Sequence, residues 1–175
     1  MKIYMVPHDP NWRQLFQQEA EQLTATLGSN VAAVHHIGST AIPTIYAKPV
    51  LDILLVVRDR AALDEKQPRM EGLGYVALGE FGIAGRRYFR RDDLLGERTH
   101  QVHAFENDFP QIKRHLAFRD YMIDRPETAQ EYSDLKRELA AKHLEDIELY
   151  MDGKDEFIKK IDMGTAQQDK EEARR

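Results

Sequence analysis

His36-Ile37-Gly38-Ser39-Thr40, followed by Lys48-Pro49-Val50-Leu51-Asp52-Ile53-Leu54, is the most telling part of this sequence. A small turn, Gly38-Ser39, ends one apolar run, and a single acid, Asp52, lies inside the next, Val50 to Val57. An unpaired carboxylate in a buried strand costs several kcal/mol, roughly 2–7 for a polar group and more for a charge. A metal, a catalytic proton or a buried ion pair are the usual reasons to keep one. Glycine and serine beside it let backbone amides and a hydroxyl approach an anion closely. Together these residues suggest a site for a phosphate and a metal.

Outward from this centre the periodicities alternate. Val31 to Ile37 and Val50 to Val57 read as strands, the second apolar enough to be covered on both faces. Gly38 to Ala47, with Pro43, reads as the loop between them. Pro10 to Leu27 has the helical spacing of Trp12, Leu15, Phe16, Ala20, Leu23 and Leu27, with Asp9 at the cap and Gly28 at the stop. Arg60 to Leu73 reads as a helix broken near Pro68, and Tyr75 to Leu78 as a short strand. Arg86 to Arg91 and Thr99 to Phe105 predict a hairpin around Asp92 to Glu97. Ile112 to Ile123 predicts a helix. Pro126 opens another, whose stripe of Tyr132, Leu135, Leu139, His143, Ile147 and Tyr150 runs to a stop at Gly153. Phe157 to Ile161 predicts a short last helix, and 164–175 a polar, frayed tail. The expected organisation is one domain over 1–164 and a tail over 165–175. The fold class is α/β (α+β): a small mixed sheet flanked by helices, with a C-terminal helical segment.

At 175 residues the chain is long enough for a sizeable core. No apolar run reaches the ~18 residues of a membrane span, and the start, Met1-Lys2-Ile3-Tyr4, lacks the apolar stretch of a signal peptide. Without cysteine there is neither a disulfide nor a thiolate metal site, which fits a cytoplasmic protein. The net charge of −5 argues against broad binding to nucleic acid.

Many blocks in order resemble the GrpB-like family of the nucleotidyltransferase superfamily, which has the DNA polymerase β-like fold. They include Pro7-x-x-Pro10-x-Trp12, His36 to Pro43, Ala47 to Ile53, Gly74-Tyr75, Gly85 to Phe89, Arg98-Thr99-His100 with His103, Leu116-x-Phe118-Arg119-Asp120-Tyr121, and Glu131-Tyr132 with Leu135-Lys136-Arg137. The resemblance implies a nucleotidyltransferase-like mixed sheet whose Gly-Ser turn faces nucleotide phosphates. Some members are fused to dephospho-coenzyme A kinase, a hint of nucleotide or coenzyme metabolism. The superfamily pattern carries two acids one residue apart on a strand, aligned on one face because strand period is two. Here Asp52 stands alone, with Val50 and Leu54 in the flanking positions. The chain also carries Thr44 where the family has glycine, His35 for an acid and Gln101 for a histidine.

The site expected from these residues has Asp52 and His103 as catalytic candidates. Asp52 also holds Mg2+ or Mn2+, and Gly38, Ser39, Thr40, Lys48, Arg86 and Arg87 bind phosphate. In Arg86 to Arg91, alternation sets Arg86, Tyr88 and Arg90 on one face, and Arg87, Phe89 and Arg91 on the other; a solvated, charge-protected edge is the plainer reading. His100 and His103 point to opposite faces, too far around the strand to share one ion; at least one is a structural histidine. Gln101 and His103 share a face with Phe105. Glu80 is a candidate second acid, or else a solvent-facing loop residue. Arg119-Asp120 with Lys136 and Arg137 reads as an inter-helix salt bridge, with a reach of Arg119 or Lys136 to a triphosphate as the alternative.

Two functions follow. One is a nucleotidyltransferase-like protein that binds a nucleotide or phosphorylated small molecule with the divalent metal and transfers a nucleotidyl group to an acceptor. The other is a non-catalytic nucleotide- or coenzyme-binding module, a regulatory partner of a metabolic enzyme. Neither expects a nucleic-acid or membrane partner, and the oligomeric state is left open.

Overall fold

The computed structural model describes residues 3–175, so Met1 and Lys2 of the leader reading lie outside the described residues. Five strands form one sheet in the order β1-β2-β5-β4-β3. They are β1 (Val31–Ile37), β2 (Leu51–Val57), β3 (Val76–Ala77), β4 (Arg87–Asp92) and β5 (Arg98–Glu106). β2 and β5 run parallel at the centre, and the other pairs are antiparallel, so the sheet is mixed as expected. The β4–β5 hairpin turns where the polar Asp92 to Glu97 stretch predicts it.

Helices cover both faces. One face takes α1 (Asn11–Leu27), α2 (Arg60–Glu65) and α3 (Gln67–Gly72). Asp9 accepts the Asn11 amide at 2.9 Å at the head of α1, and Asp59 caps α2 by accepting the amides of Ala61 and Ala62. Leu23, Leu27, Leu63 and Met70 from these helices pack on Ile53, Leu55, Phe89, Val102 and Ala104 of the sheet. The other face carries Ile37, Leu54, Val56 and Phe105 under Ile112 and Leu116 of α4 (Pro110–Asp124). Both faces of β2 are therefore buried except at Asp52, which is why its apolar pattern lacks alternation.

The C-terminal helices depart from the sequence reading. α5 (Pro126–Lys142) ends before His143, and a separate α6 runs from Ile147–Glu172 with Asp146 as its N-cap. Ile147 and Tyr150 thus belong to a second helix, and the expected short helix and frayed tail are parts of one long α6. Gly153 is not a stop: a Cβ there would overlap the Leu139 side chain, so the glycine lets α6 close on α5. The tail is helical because it consists of good helix formers, and Lys113 on α4 pairs with Asp169 at 2.9 Å. Among the described residues no helix is long and apolar enough to cross a membrane.

Thr44 sits at φ 70 in the loop between β1 and β2. A β-branched residue is strained there, and glycine, the residue of the family pattern at this position, is not.

Candidate functional site

The loop after β1 is built around one close approach. Ile37 stands opposite Asp52 in the β1–β2 ladder, so the next residue, Gly38, passes directly over the Asp52 side chain. Gly38 has φ 70, and a Cβ on it would lie 2.5 Å from Asp52 Oδ2 and 2.8 Å from Asp52 Cβ. Only glycine fits both the backbone conformation and the space. Ser39 to Ala41 then form a single 3-10 turn, with the Ala41 amide donating to Gly38 O at 3.1 Å. Thr40 points inward, its hydroxyl hydrogen-bonded to His36 Nε2 at 2.8 Å. The His36 ring stacks on Phe16, and burial pulls it down to about 4, so it is neutral.

Parallel pairing sets Gln101 beside Asp52, and His103 lies two residues further along the same face of β5. His103 Nε2 is 3.5 Å from Asp52 Oδ1, and its Nδ1 is 3.3 Å from Arg86 Nη1. A guanidinium only donates, so Nδ1 accepts and Nε2 carries the proton that faces Asp52. His103 therefore points a donor at the carboxylate rather than a basic lone pair. Arg86 is itself held by the carbonyls of Glu80 at 3.1 Å and Phe81 at 2.6 Å. It positions His103 and is not on the cavity wall.

The wall encloses about 330 Å³. Gly38, Ser39, Thr40, Lys48, Asp52 and His103 all line it, as the sequence reading expects. Among the residues that the C-terminal helices add are His115 on α4, Lys136 on α5 and Lys154 on α6. Lys136 is 2% exposed and donates to Ser39 Oγ at 2.8 Å and to the Tyr46 carbonyl at 2.7 Å. It makes no inter-helix salt bridge. Lys48 and Lys154 both rest against the buried Tyr150 ring, 4.7 and 4.4 Å from its centroid. Burial pushes Lys136 down to about 7 and Lys154 to about 8, in each case helped by a neighbouring lysine and opposed by Asp52. Lys48 is lowered for the same first reason. His115 is held at about 4 by burial and the nearby His103 and Arg114. α4 and α6 also bring apolar groups to the wall, Phe118, Met151 and Ile158.

Several expected residues lie elsewhere. Arg87 is on the opposite face, in a two-pronged pair with Asp64 at 2.6 and 2.9 Å, so it does not serve as a phosphate ligand in this cavity. Glu80 accepts the Gly85 amide at 2.9 Å and is not on the wall, so it does not join Asp52. His100 is the structural histidine: it faces α1, where Arg91 Nη2 contacts its Nε2 at 2.9 Å. Arg119 pairs with Asp120 on its own helix and donates to His36 O at 3.1 Å, bracing the Gly38 loop from behind.

Asp52 is the one carboxylate on the wall apart from Asp162, and Asp162 is engaged by Arg114 at 3.0 Å. Among the described residues no group of three or more His, Asp or Glu side chains is arranged to hold a metal ion. The donor set does not fit the two-carboxylate ion site of the superfamily, and no chemical step through a metal follows from it.

The lysines give the fold a pH dependence. Below about pH 7 Lys136 is protonated folded and unfolded, and its burial cost is felt in full. From about 7 to its ordinary 10.5 the proton stays only on the unfolded chain, so stability rises with pH across that window. Lys136→Met removes this rise. Relative to the parent, its unfolding free energy is expected to fall by on the order of 2–4 kcal/mol between pH 6.5 and 10 in denaturant titrations. Parallel pH profiles for the two proteins would contradict the burial of a charge-bearing Lys136.

A family model described as GrpB protein matches residues 2–163. The protein YqkA of Bacillus subtilis is 44% identical over 158 residues, which are 90% of this chain but 46% of that protein; the chain thus spans less than half of this relative. A crystal structure of the conserved protein GrpB from Enterococcus faecalis superposes with a TM-score of 0.89 at 41% identity, covering 94% of this chain and 98% of the other. The Cid1 poly(U) polymerase, solved with MgGTP bound, matches with a TM-score of 0.50 at 11% identity over 78% of this chain and 43% of its own, a likeness of fold. A dephospho-CoA kinase of Mycolicibacterium paratuberculosis is 27% identical over 180 residues, covering 90% of this chain and 44% of the kinase.

Proposed function

The chain belongs to the GrpB family, and from that premise we propose that it binds a phosphorylated small molecule, a nucleotide or a coenzyme precursor, in the cavity behind Gly38 and Ser39. One observation carries the reading: Lys48 from the β1–β2 loop, Lys136 from α5 and Lys154 from α6 meet on one wall beside the Gly38-Ser39 turn. Desolvated ammonium groups repel one another, and an anionic ligand relieves that repulsion. Phosphate oxygens suit ammonium groups and a serine hydroxyl, and the apolar groups of Phe118, Met151 and Ile158 suit the organic part of the ligand. The nucleotidyltransferase-like fold favours a nucleotide. In the transfer form of this reading, an acceptor hydroxyl or phosphate oxygen attacks the α-phosphorus of a nucleoside triphosphate, the bond to the α–β bridging oxygen breaks, pyrophosphate leaves and a hydroxyl acceptor's proton passes to solvent; positioning of the phosphates supplies most of the catalysis.

The likeness to dephospho-CoA kinases supports the second reading, a binding module that takes a coenzyme A precursor without turning it over.

Thermal shift with nucleoside triphosphates, dephospho-coenzyme A and coenzyme A tests both. At a ligand concentration of 100 times Kd, stability rises by about 2.7 kcal/mol, or about 5–10 °C in Tm for a chain of this size. The shift is expected to disappear in Lys154→Ala. Consumption of the stabilising nucleotide, lost in Asp52→Asn, selects transfer; a shift without consumption selects the module. No shift with any of these compounds overturns the phosphate reading.

A further inference from the structure

Below about pH 7, where Lys136 keeps its proton, the charges on the cavity wall do not balance. With Arg114 engaged by Asp162 at 3.0 Å, three lysines face the single carboxylate of Asp52. Each lysine is anchored: Lys136 to Ser39 Oγ and the Tyr46 carbonyl, Lys48 and Lys154 against Tyr150. They are not free surface side chains that swing away into solvent.

In a metal-assisted phosphate site the protein supplies carboxylates, the carboxylates hold cations, and the cations neutralise the phosphate. Here the order is inverted. The positions two residues before and after Asp52 are Val50 and Leu54, and its partner across β5 is Gln101. A divalent ion placed on Asp52 would gain one carboxylate and stand among three ammonium groups. A phosphate chain placed there meets the same ammonium groups as partners.

We infer that this cavity recognises two or more adjacent phosphates through the charge of Lys48, Lys136 and Lys154 without a divalent cation, and that Asp52 opposes the bound anion. This deepens the phosphate reading and rests on it. Asp52 then has a role in the empty protein. It is the counter-charge that makes three clustered lysines tolerable, and His103, contacted by Arg86, stands 3.5 Å from it. A bound polyphosphate takes over that role, and Asp52 becomes a like charge beside it. The ligand class is a linear diphosphate or triphosphate, whose successive charged oxygens suit lysines set on a loop and on two helices around one cavity.

Isothermal titration of the full chain with sodium tripolyphosphate, in EDTA and in excess Mg2+, tests this in the parent, Asp52→Asn and Lys154→Gln. The inference expects binding in EDTA, on the order of 5–10-fold tighter binding in Asp52→Asn, and at least about 10-fold weaker binding in Lys154→Gln. Mg2+, which complexes the probe, is expected to weaken the parent's binding. Circular dichroism confirms that each variant is folded, and the two variants move affinity in opposite directions, so a loss of structure in one does not imitate the result. Binding that requires Mg2+ and is lost in Asp52→Asn overturns the inference while leaving the phosphate reading intact. Orthophosphate bound as tightly as tripolyphosphate also overturns it, again without touching that reading. No heat with any phosphate in either buffer overturns both.

Discussion

Arg91→Met is expected to cost about 3–5 kcal/mol, lowering Tm by roughly 6–20 °C, although Arg91 lies outside the cavity. Its guanidinium grips both oxygens of Glu19, at 3.0 and 2.8 Å, between β4 and α1. Glu19 is 6% exposed, and Tyr75 donates to it at 2.8 Å. Burial alone would raise the Glu19 carboxyl, but hydrogen bonds from Arg91 and Tyr75 outweigh burial, and the net direction is down. Removing Arg91 leaves a buried carboxylate with one phenol donor, Tyr75, and with His100 at 3.7 Å, a ring whose burial disfavours the charge that would replace the guanidinium. The stability that a depressed carboxyl contributes is present above its unfolded pKa, near 4.5, and is lost as pH falls through the folded value. The damage in Arg91→Met is therefore greatest at neutral pH and shrinks in acid. Denaturant unfolding at pH 7 and pH 4 measures both. The double variant Glu19→Met/Arg91→Met is expected to be more stable than Arg91→Met alone. An Arg91→Met protein as stable as the parent at pH 7 would contradict the pairing.

Gly38→Ala is the second large effect, about 3 kcal/mol and roughly 6–12 °C in Tm, with loss of phosphate binding. Two penalties combine. A left-handed conformation costs alanine about 1–2 kcal/mol, and overpacking a close contact adds about 1–3 kcal/mol. The contact here is with Asp52 Oδ2 at 2.5 Å and with Asp52 Cγ at 3.0 Å. The loop relieves it by moving, which displaces Ser39 from Lys136. Asp52→Ala removes the oxygen and Cγ but keeps the Cβ at 2.8 Å, so it is expected to rescue Gly38→Ala in part. A crystal structure of Gly38→Ala with the Ser39–Lys136 contact intact, or strictly additive costs for the pair, would refute this coupling.

The two effects differ in how far they were written in the sequence. Strand alternation sets Arg91 on the face of Phe89 and Arg87, away from Arg86 and Tyr88, and the structure keeps this split. It does not reveal that Glu19, on the flank of α1, is the acid that meets Arg91. Gly38 and Asp52 are legible as a pair because a turn glycine and a lone strand acid are each unusual. Their direct contact is a consequence of the β1–β2 register.

By itself the sequence determined the strands, the hairpin, the split Arg60 to Leu73 helix and the common face of Gln101 and His103; that Asp52 shares this face, and His100 does not, was decided by the β2–β5 pairing. The former depend on periods of two and on turn chemistry, which act over a few residues. The sequence also carried the signal of two C-terminal lysines, Lys136, whose reach to a triphosphate is one of its readings, and Lys154, which it missed. Lys136 stands between Tyr132, Leu135 and Leu139 on the buried stripe of α5, and Lys154 between Tyr150, Phe157 and Ile158 on that of α6. A lysine on an apolar stripe has two local solutions: its stem covers apolar surface while the head reaches water, or the head stays inside with a partner. Choosing between them requires knowing what faces the stripe. The packing of α5 and α6 against the Gly38 loop, closed by Gly153 on Leu139, was settled only in the tertiary structure. Only there do Lys136, Lys154 and His115 become neighbours of Lys48 and Asp52, because residues so far apart in the chain share a cavity through packing and not through any local period.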